Sequence, residues 1–161
     1  MNGRLPSTQQ CFFCGHARGG LALQLQYADG SAFCEFIARD TYQGYEGMLH
    51  AGIITGILDE VMWWTLFMQK KALCATWKME TEFKRPVVCG KTYRASGHLL
   101  RTIRSTYYLG SVIEDESGKL CAQGHASFRR LRGITLEDMT HHFDYRGVSP
   151  EMQSFFQTHK A

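Results

Sequence analysis

The stretch His50-Ala51-Gly52-Ile53-Ile54-Thr55-Gly56-Ile57-Leu58-Asp59-Glu60-Val61-Met62-Trp63-Trp64-Thr65-Leu66-Phe67-Met68-Gln69 is the longest run in the chain that is rich in apolar residues and free of proline. Its length and composition predict one helix. Apolar residues occupy nearly every direction around the axis, which predicts an element enclosed on most sides rather than a surface helix with one wet face. Asp59 breaks the pattern. It lies four residues after Thr55, three after Gly56 and seven after Gly52, so these four share a small, polar face of an otherwise oily cylinder. An acid held there is the first candidate for chemistry.

Working outward, the remaining residues predict what surrounds that helix. With 161 residues, 44% hydrophobic and 20% charged, the chain has room for one good core and reads as a single domain. A formal charge of +3 without a clustered basic patch gives no ground for nucleic acid as a partner. Met1 to Gln10 lacks the basic-then-apolar profile of a signal peptide, and Asp59 and Glu60 interrupt the one run that approaches membrane-spanning length. The expectation is a soluble, cytoplasmic protein with six reduced cysteines and no membrane partner.

Upstream, Cys11-Phe12-Phe13-Cys14-Gly15-His16 offers half of a zinc site, but no second Cys-x-x-Cys or His-x-x-x-His pair follows. The motif also lacks the strand-then-helix setting of a redox disulfide. The expectation is a turn packed by Phe12 and Phe13, with no metal. Leu21, Leu23, Leu25 and Tyr27 alternate with Ala22, Gln24 and Gln26, which predicts a half-buried strand; Asp29-Gly30 turns it, and Ser31 to Arg39 returns. Thr41 to Leu49 reads as a loop that delivers the chain to the helix.

Downstream, Lys70-Lys71 complements the negative end of the helix dipole. Trp77, Met79, Thr81 and Phe83 then alternate with Lys78, Glu80 and Glu82 up to Pro86. Strands follow over Lys91 to Arg104 and Tyr107 to Glu116. In a last strand, Leu120, Ala122, Gly124, Ala126 and Phe128 face one way, small enough to admit a helix against the sheet. Short turns between these elements favour an antiparallel sheet with the helix on one face, an α+β domain. The pattern decays after Arg132, leaving a core of about residues 11–131 and an extension, 132–161, with a short helix expected over 150–159 behind the Ser149-Pro150 start signal.

Four pieces carry a resemblance: Cys11-Phe12-Phe13-Cys14-Gly15, the Tyr42-Gln43-Gly44-Tyr45-Glu46-Gly47 loop, His50-Ala51-Gly52 with Leu58-Asp59-Glu60, and Phe83-Lys84-Arg85-Pro86 with Gly90. In this order the chain resembles the hotdog fold, a curved antiparallel sheet of about six strands wrapped around one long helix. More narrowly it looks like the PaaI-like acyl-CoA thioesterases. The resemblance implies hydrolysis of acyl-CoA, with no cofactor beyond the coenzyme A of the substrate, by a homodimer or dimer of dimers. It implies a general base or nucleophile at Asp59, nine residues after His50, and an oxyanion hole built from backbone N–H groups at Ala51 and Gly52. The family has glycine where this chain has Ala51, and some relatives have asparagine where it has Gly44, so Gln43 becomes the candidate for positioning water or the carbonyl. A family hydroxyl falls on Thr76, although the alternation read above puts Thr76 on the charged side with Lys78; a site at a subunit boundary would reconcile the two.

Beside these stand plainer readings. Asp59 could be a buried acid bonded to Thr55 or to a backbone N–H, and His50 a helix-start residue that shapes the loop. Glu60 is expected to meet a polar partner or a subunit boundary. Trp63 is first a core residue and then a candidate for the acyl pocket. Arg85, Arg129 and Arg130 are candidates for the coenzyme A phosphates, or else a solvated rim. The rival function is a non-catalytic acyl-CoA-binding or regulatory module on the same fold. Enoyl-CoA hydratases of the fold carry histidine five residues after the aspartate, where this chain has Trp64.

Overall fold

The structure, a computed structural model, describes residues 1–16 and 19–157. In chain order the elements are β1 (Gly3–Arg4), β2 (Ser7–Thr8), β3 (Gln26–Ala28), β4 (Ser31–Ile37), a 3-10 turn (Asp40–Tyr42) and α1 (Ala51–Lys70). Then come β5 (Cys74–Phe83), β6 (Thr92–Ile103), β7 (Thr106–Asp115), β8 (Leu120–Arg130), α2 (Leu136–Thr140), β9 (Phe143–Asp144) and α3 (Pro150–Gln157). One antiparallel sheet of seven strands, ordered β1-β3-β4-β6-β7-β8-β5, wraps α1, and β2 pairs with β9 in a separate ribbon. This is the expected α+β hotdog architecture, with β5 at one edge of the sheet.

The apolar run becomes α1 as read. Its 20 residues would suit a membrane span in length and apolarity, yet ten of them, from Ile54 to Met68, are buried within the fold. Sheet and helix approach closely because the inward residues of the central strands are small. Ala95 and Gly97 on β6, and Ala122, Gly124 and Ala126 on β8, are all buried. At Gly97 the approach is closest: an added Cβ would stand 2.5 Å from the Val61 carbonyl oxygen and 2.8 Å from Thr65 Oγ1. Thr65, itself buried, ties the helix to β4. Its hydroxyl donates to the Val61 carbonyl at 2.7 Å and accepts the Ala32 N–H at 2.9 Å, so the one buried hydroxyl of α1 is fully used.

The Asp29-Gly30 turn forms as expected, both residues taking positive φ (51° and 82°) as a type I′ hairpin requires. Two expectations need correction. Leu21, Leu23 and Leu25 are buried on alternate positions, but only Gln26–Ala28 joins the sheet. Ala22 takes φ 51°, and the backbone of Leu21 and Leu23 donates to the carbonyls of Phe12 and Phe13 instead. The extension after Arg132 also belongs to the core. β9 pairs with β2, and Phe143, Met152 and Phe156 are buried in a ring cluster with Trp64 and Phe67. The terminal helix begins at Pro150 as read; residues 158 and 159 of its expected span lie outside the described residues.

Candidate active site

The helix start is built by His50. Its backbone is extended (φ −62°, ψ 136°), and its side-chain Nδ1 accepts the Gly52 N–H at 2.9 Å, an N-cap made by a ring nitrogen. That bond removes Gly52 from the expected pair of free donors. The Ala51 N–H, one residue earlier, meets no acceptor among the described residues and is exposed. It is the donor left to the positive end of the dipole. Gln43 shapes the approach loop: its Oε1 accepts the Gly47 N–H at 3.0 Å, and the loop closes through His50 N–H to the Tyr42 carbonyl at 2.9 Å.

Asp59 lies eight residues beyond Ala51, about 12 Å along the helix axis at the ~1.5 Å rise per residue. Its partner is Thr76, whose hydroxyl donates to Oδ1 at 2.7 Å; Thr55, the partner of the plainer reading, has no bond to it. Burial pushes the Asp59 carboxyl above its usual range, and the Thr76 hydrogen bond opposes that. The conflict over Thr76 resolves within one chain. β5 carries a bulge between Thr76, opposite Phe128, and Lys78, opposite Ser127. Trp77 is the extra residue, so Thr76 shares the inner face with Met79 while Trp77 turns out, 65% exposed, under the guanidinium of Arg129 at 3.8 Å.

The small stripe between the two ends of the site is small for a reason the local sequence does not signal. A Cβ at Gly56 would stand 1.9 Å from Phe13 Cζ, so Gly56 makes room for that ring. Beside it, Cys11 Sγ lies 3.8 and 3.9 Å from the two oxygens of Glu60, which also accepts the Trp64 Nε1–H at 3.1 Å. The hydrogen bond shared by the two thiols pulls Cys11 down and pushes Cys14 up; backbone N–H groups of Cys14, Phe13 and Gly15 add to the lowering of Cys11, and burial adds to the raising of Cys14.

The other candidates fall apart in space. Trp63 donates Nε1–H to the Cys74 carbonyl at 2.9 Å and stacks on Phe67, which makes it a packing residue. Arg129 and Arg130 lie at the Cys74 end of the β5–β8 ladder, and Arg85 lies beyond its Phe83 end, donating to the Leu120 carbonyl at 2.5 Å. The three therefore form no common phosphate patch within one chain. An open cleft of about 510 Å³ runs between Leu21–Gln24, Phe36, Arg39 and Tyr42 and reaches the helix start at Leu49, on the side away from Thr76.

No curated protein matches the chain in sequence. Residues 46–122 match the family model of the thioesterase superfamily. Among solved structures, a thioesterase superfamily protein aligns at TM-score 0.69 and 20% identity over 75% of this chain, which spans only 60% of that protein. The Escherichia coli PaaI protein from the phenylacetic acid degradation operon aligns at TM-score 0.64 and 17% identity, covering 71% of this chain and 83% of that one. A Streptococcus mutans protein bound to acetyl-CoA aligns at TM-score 0.60 and 14% identity, over 65% and 84%. The matched segment runs from the loop before α1 through Asp59 and Thr76 to the start of β8, so over just under half of its length the chain is similar to the thioesterase superfamily, and the sheet wrapped around α1 is the hotdog fold of these solved structures.

Proposed function

We propose that this protein hydrolyses acyl-CoA thioesters to a free acid and coenzyme A, in the manner of the PaaI-like branch, as a homodimer or dimer of dimers. The observation that carries the reading is Asp59, a half-buried carboxylate in an apolar helix, oriented by one hydroxyl at 2.7 Å. One oxygen is engaged by Thr76, so the other is available to take a proton from water or to attack the carbonyl carbon itself. In the first case hydroxide adds to the carbonyl, the C–S bond breaks, and the thiolate of coenzyme A leaves and takes up the proton. The Ala51 N–H, at the positive end of α1, stabilises the oxyanion formed on the way.

A single carbonyl needs the base and the oxyanion donor each within about 3 Å. The ~12 Å between Ala51 and Asp59 on one helix, with Phe13 seated between them, exceeds that reach. The reaction therefore uses the helix start of one copy and the Asp59–Thr76 pair of another, with β5 as the available sheet edge. The S. mutans neighbour bound to acetyl-CoA supports coenzyme A thioesters as the ligand class. Gln43 and His50 hold the loop that presents Ala51, and Arg85, Arg129 and Arg130 are the cations available to phosphate at the site's two ends.

The test is thiol release from a panel of short, medium, long and aromatic acyl-CoAs. Asp59→Asn is expected to lower kcat by about 10²–10⁴, the range of a lost general base. Equal turnover by Asp59→Asn would remove Asp59 from the chemistry, and saturable binding without turnover by the unaltered chain would favour the non-catalytic module.

A further inference from the structure

The Cys11–Cys14 pair finds its missing partner on α1. One donor atom each from Cys11, Cys14 and Glu60 lies within 4.8 Å of the other two, although Glu60 is 49 residues from Cys11 in sequence. A sequence scan for a second cysteine or histidine pair cannot see such a ligand. We propose that Cys11, Cys14 and Glu60 form a binding site for one zinc-class divalent ion, which fastens the N-terminal segment to the helix that carries Asp59.

Three features point to a metal rather than to packing alone. The donor set is two cysteine sulfurs and a carboxyl group, which on giving up their protons to the ion suit a borderline-soft cation and give the loaded site one net negative charge. The spacing fits: with Zn–S of about 2.3 Å and Zn–O of about 2.0–2.2 Å, tetrahedral geometry puts sulfur and oxygen about 3.6 Å apart. The observed 3.8 and 3.9 Å need only a small inward shift, and both Glu60 oxygens are equally placed to bind together as the third and fourth donors.

The sulfurs are also held as thiolate ligands are held. The Cys14 N–H points at Cys11 Sγ at 3.5 Å, and the Thr8 N–H points at Cys14 Sγ at 3.5 Å. Gly15 completes the turn where a Cβ would strike the Thr8, Gln9 and Cys11 carbonyl oxygens at 2.4–2.7 Å, so the tight knuckle requires glycine. On the carboxylate side, the Trp64 indole N–H fixes Glu60 from behind, as an outer partner orients a ligand. The ion's role is structural: it holds Phe13 over Gly56 and thereby fixes the wall between the helix start and Asp59.

The test is metal titration of the full chain, stripped with a chelator under reducing conditions. Cobalt(II) is expected to bind one equivalent with a thiolate-to-metal charge-transfer band and tetrahedral visible bands, displaced by zinc. Zinc is expected to raise Tm. Cys11→Ser/Cys14→Ser should abolish the band, whereas Cys121→Ser and Asp59→Asn should leave it intact, which keeps this result separate from the catalytic reading. Glu60→Gln should weaken cobalt binding by at least the ~10–100-fold that loss of a supporting partner costs. Should the double serine variant fail to fold, judged by circular dichroism, the unaltered chain and Glu60→Gln still decide. Absence of the band in the folded, reduced chain overturns the proposal, as does formation of a Cys11–Cys14 disulfide with no metal retained, or equal cobalt affinity in Glu60→Gln.

Discussion

Gly97→Ala tests the packing that holds the site together. The added Cβ would stand 2.5 Å from the Val61 carbonyl oxygen and 2.8 Å from both Val61 C and Thr65 Oγ1, where ordinary contact begins at 3.4 Å. Relief requires β6 and α1 to separate by most of an ångström, and the atoms in the way are mainly backbone, which cannot swing aside like a side-chain tip. Overpacking of this kind costs about 1–3 kcal/mol, with rigid partners at the upper end. Removing a glycine from a strand returns about 0.5–1 kcal/mol, leaving a net loss of about 2 kcal/mol. For a domain of this size that lowers Tm by about 4–8 °C. Urea denaturation followed by tryptophan fluorescence, with a thermal scan beside it, measures both. A midpoint equal to or above that of the unaltered chain, at the same m-value, would refute the helix–sheet contact at Gly97 and the reason given for the small inward residues.

Thr76→Val should lower kcat/KM for the best acyl-CoA by about 10–100-fold, since a hydrogen bond to a charged group is worth about 1.5–3 kcal/mol, and Thr76→Ser should restore most of it. If valine is as active as serine, the 2.7 Å bond to Asp59 is not used in the reaction. At the other end of the fold, hydrogen bonds from the Arg146 side chain and backbone N–H lower the Asp144 carboxyl to about 2. A depressed carboxyl stabilises the folded state above its unfolded value of 3.8 and loses that contribution as pH falls toward 2. The β2–β9 ribbon should therefore loosen in the unaltered chain between about pH 4 and 2, whereas Asp144→Asn should be less stable at neutral pH and lose less stability than the unaltered chain over that window, followed by the fluorescence of Trp64 against Phe143.

The parts of the fold legible in the sequence were those set by local chemistry. A proline-free apolar run made α1, Asp29-Gly30 supplied the two positive φ angles of the hairpin, and alternation with small residues marked the helix-facing side of β8. Reading failed where a distant partner decides. A period of two carried through β5 puts Thr76 outside, because a bulge depends on which residues of β8 stand opposite and leaves no mark on a single strand. Leu21 to Leu25 alternate because one side is buried, but alternation does not say which backbone accepts their N–H groups. Gly56 reads as part of a polar stripe until Phe13 is seen to fill it, and the extension reads as trailing chain until Phe143 and Phe156 are seen against Trp64 and Phe67, with Met152 buried in the same core.

The neighbouring acids of α1 show how one helix separates two tasks. Consecutive residues point about 100° apart around a helix of 3.6 residues per turn, so Asp59 and Glu60 cannot share surroundings. Asp59 faces the edge strand, where the bulge at Trp77 turns one hydroxyl inward and the second carboxylate oxygen meets no donor among the described residues. Glu60 faces the N-terminal knuckle, where an indole N–H and two sulfurs surround it. An acid in an apolar helix persists only where hydrogen bonds or ions meet it. Here each finds its partners on a different distant segment, Thr76 for one and Cys11 with Cys14 for the other. Full engagement makes Glu60 a fastening point. Partial engagement, beside the edge strand β5, is what the proposed role of Asp59 as the reacting acid requires.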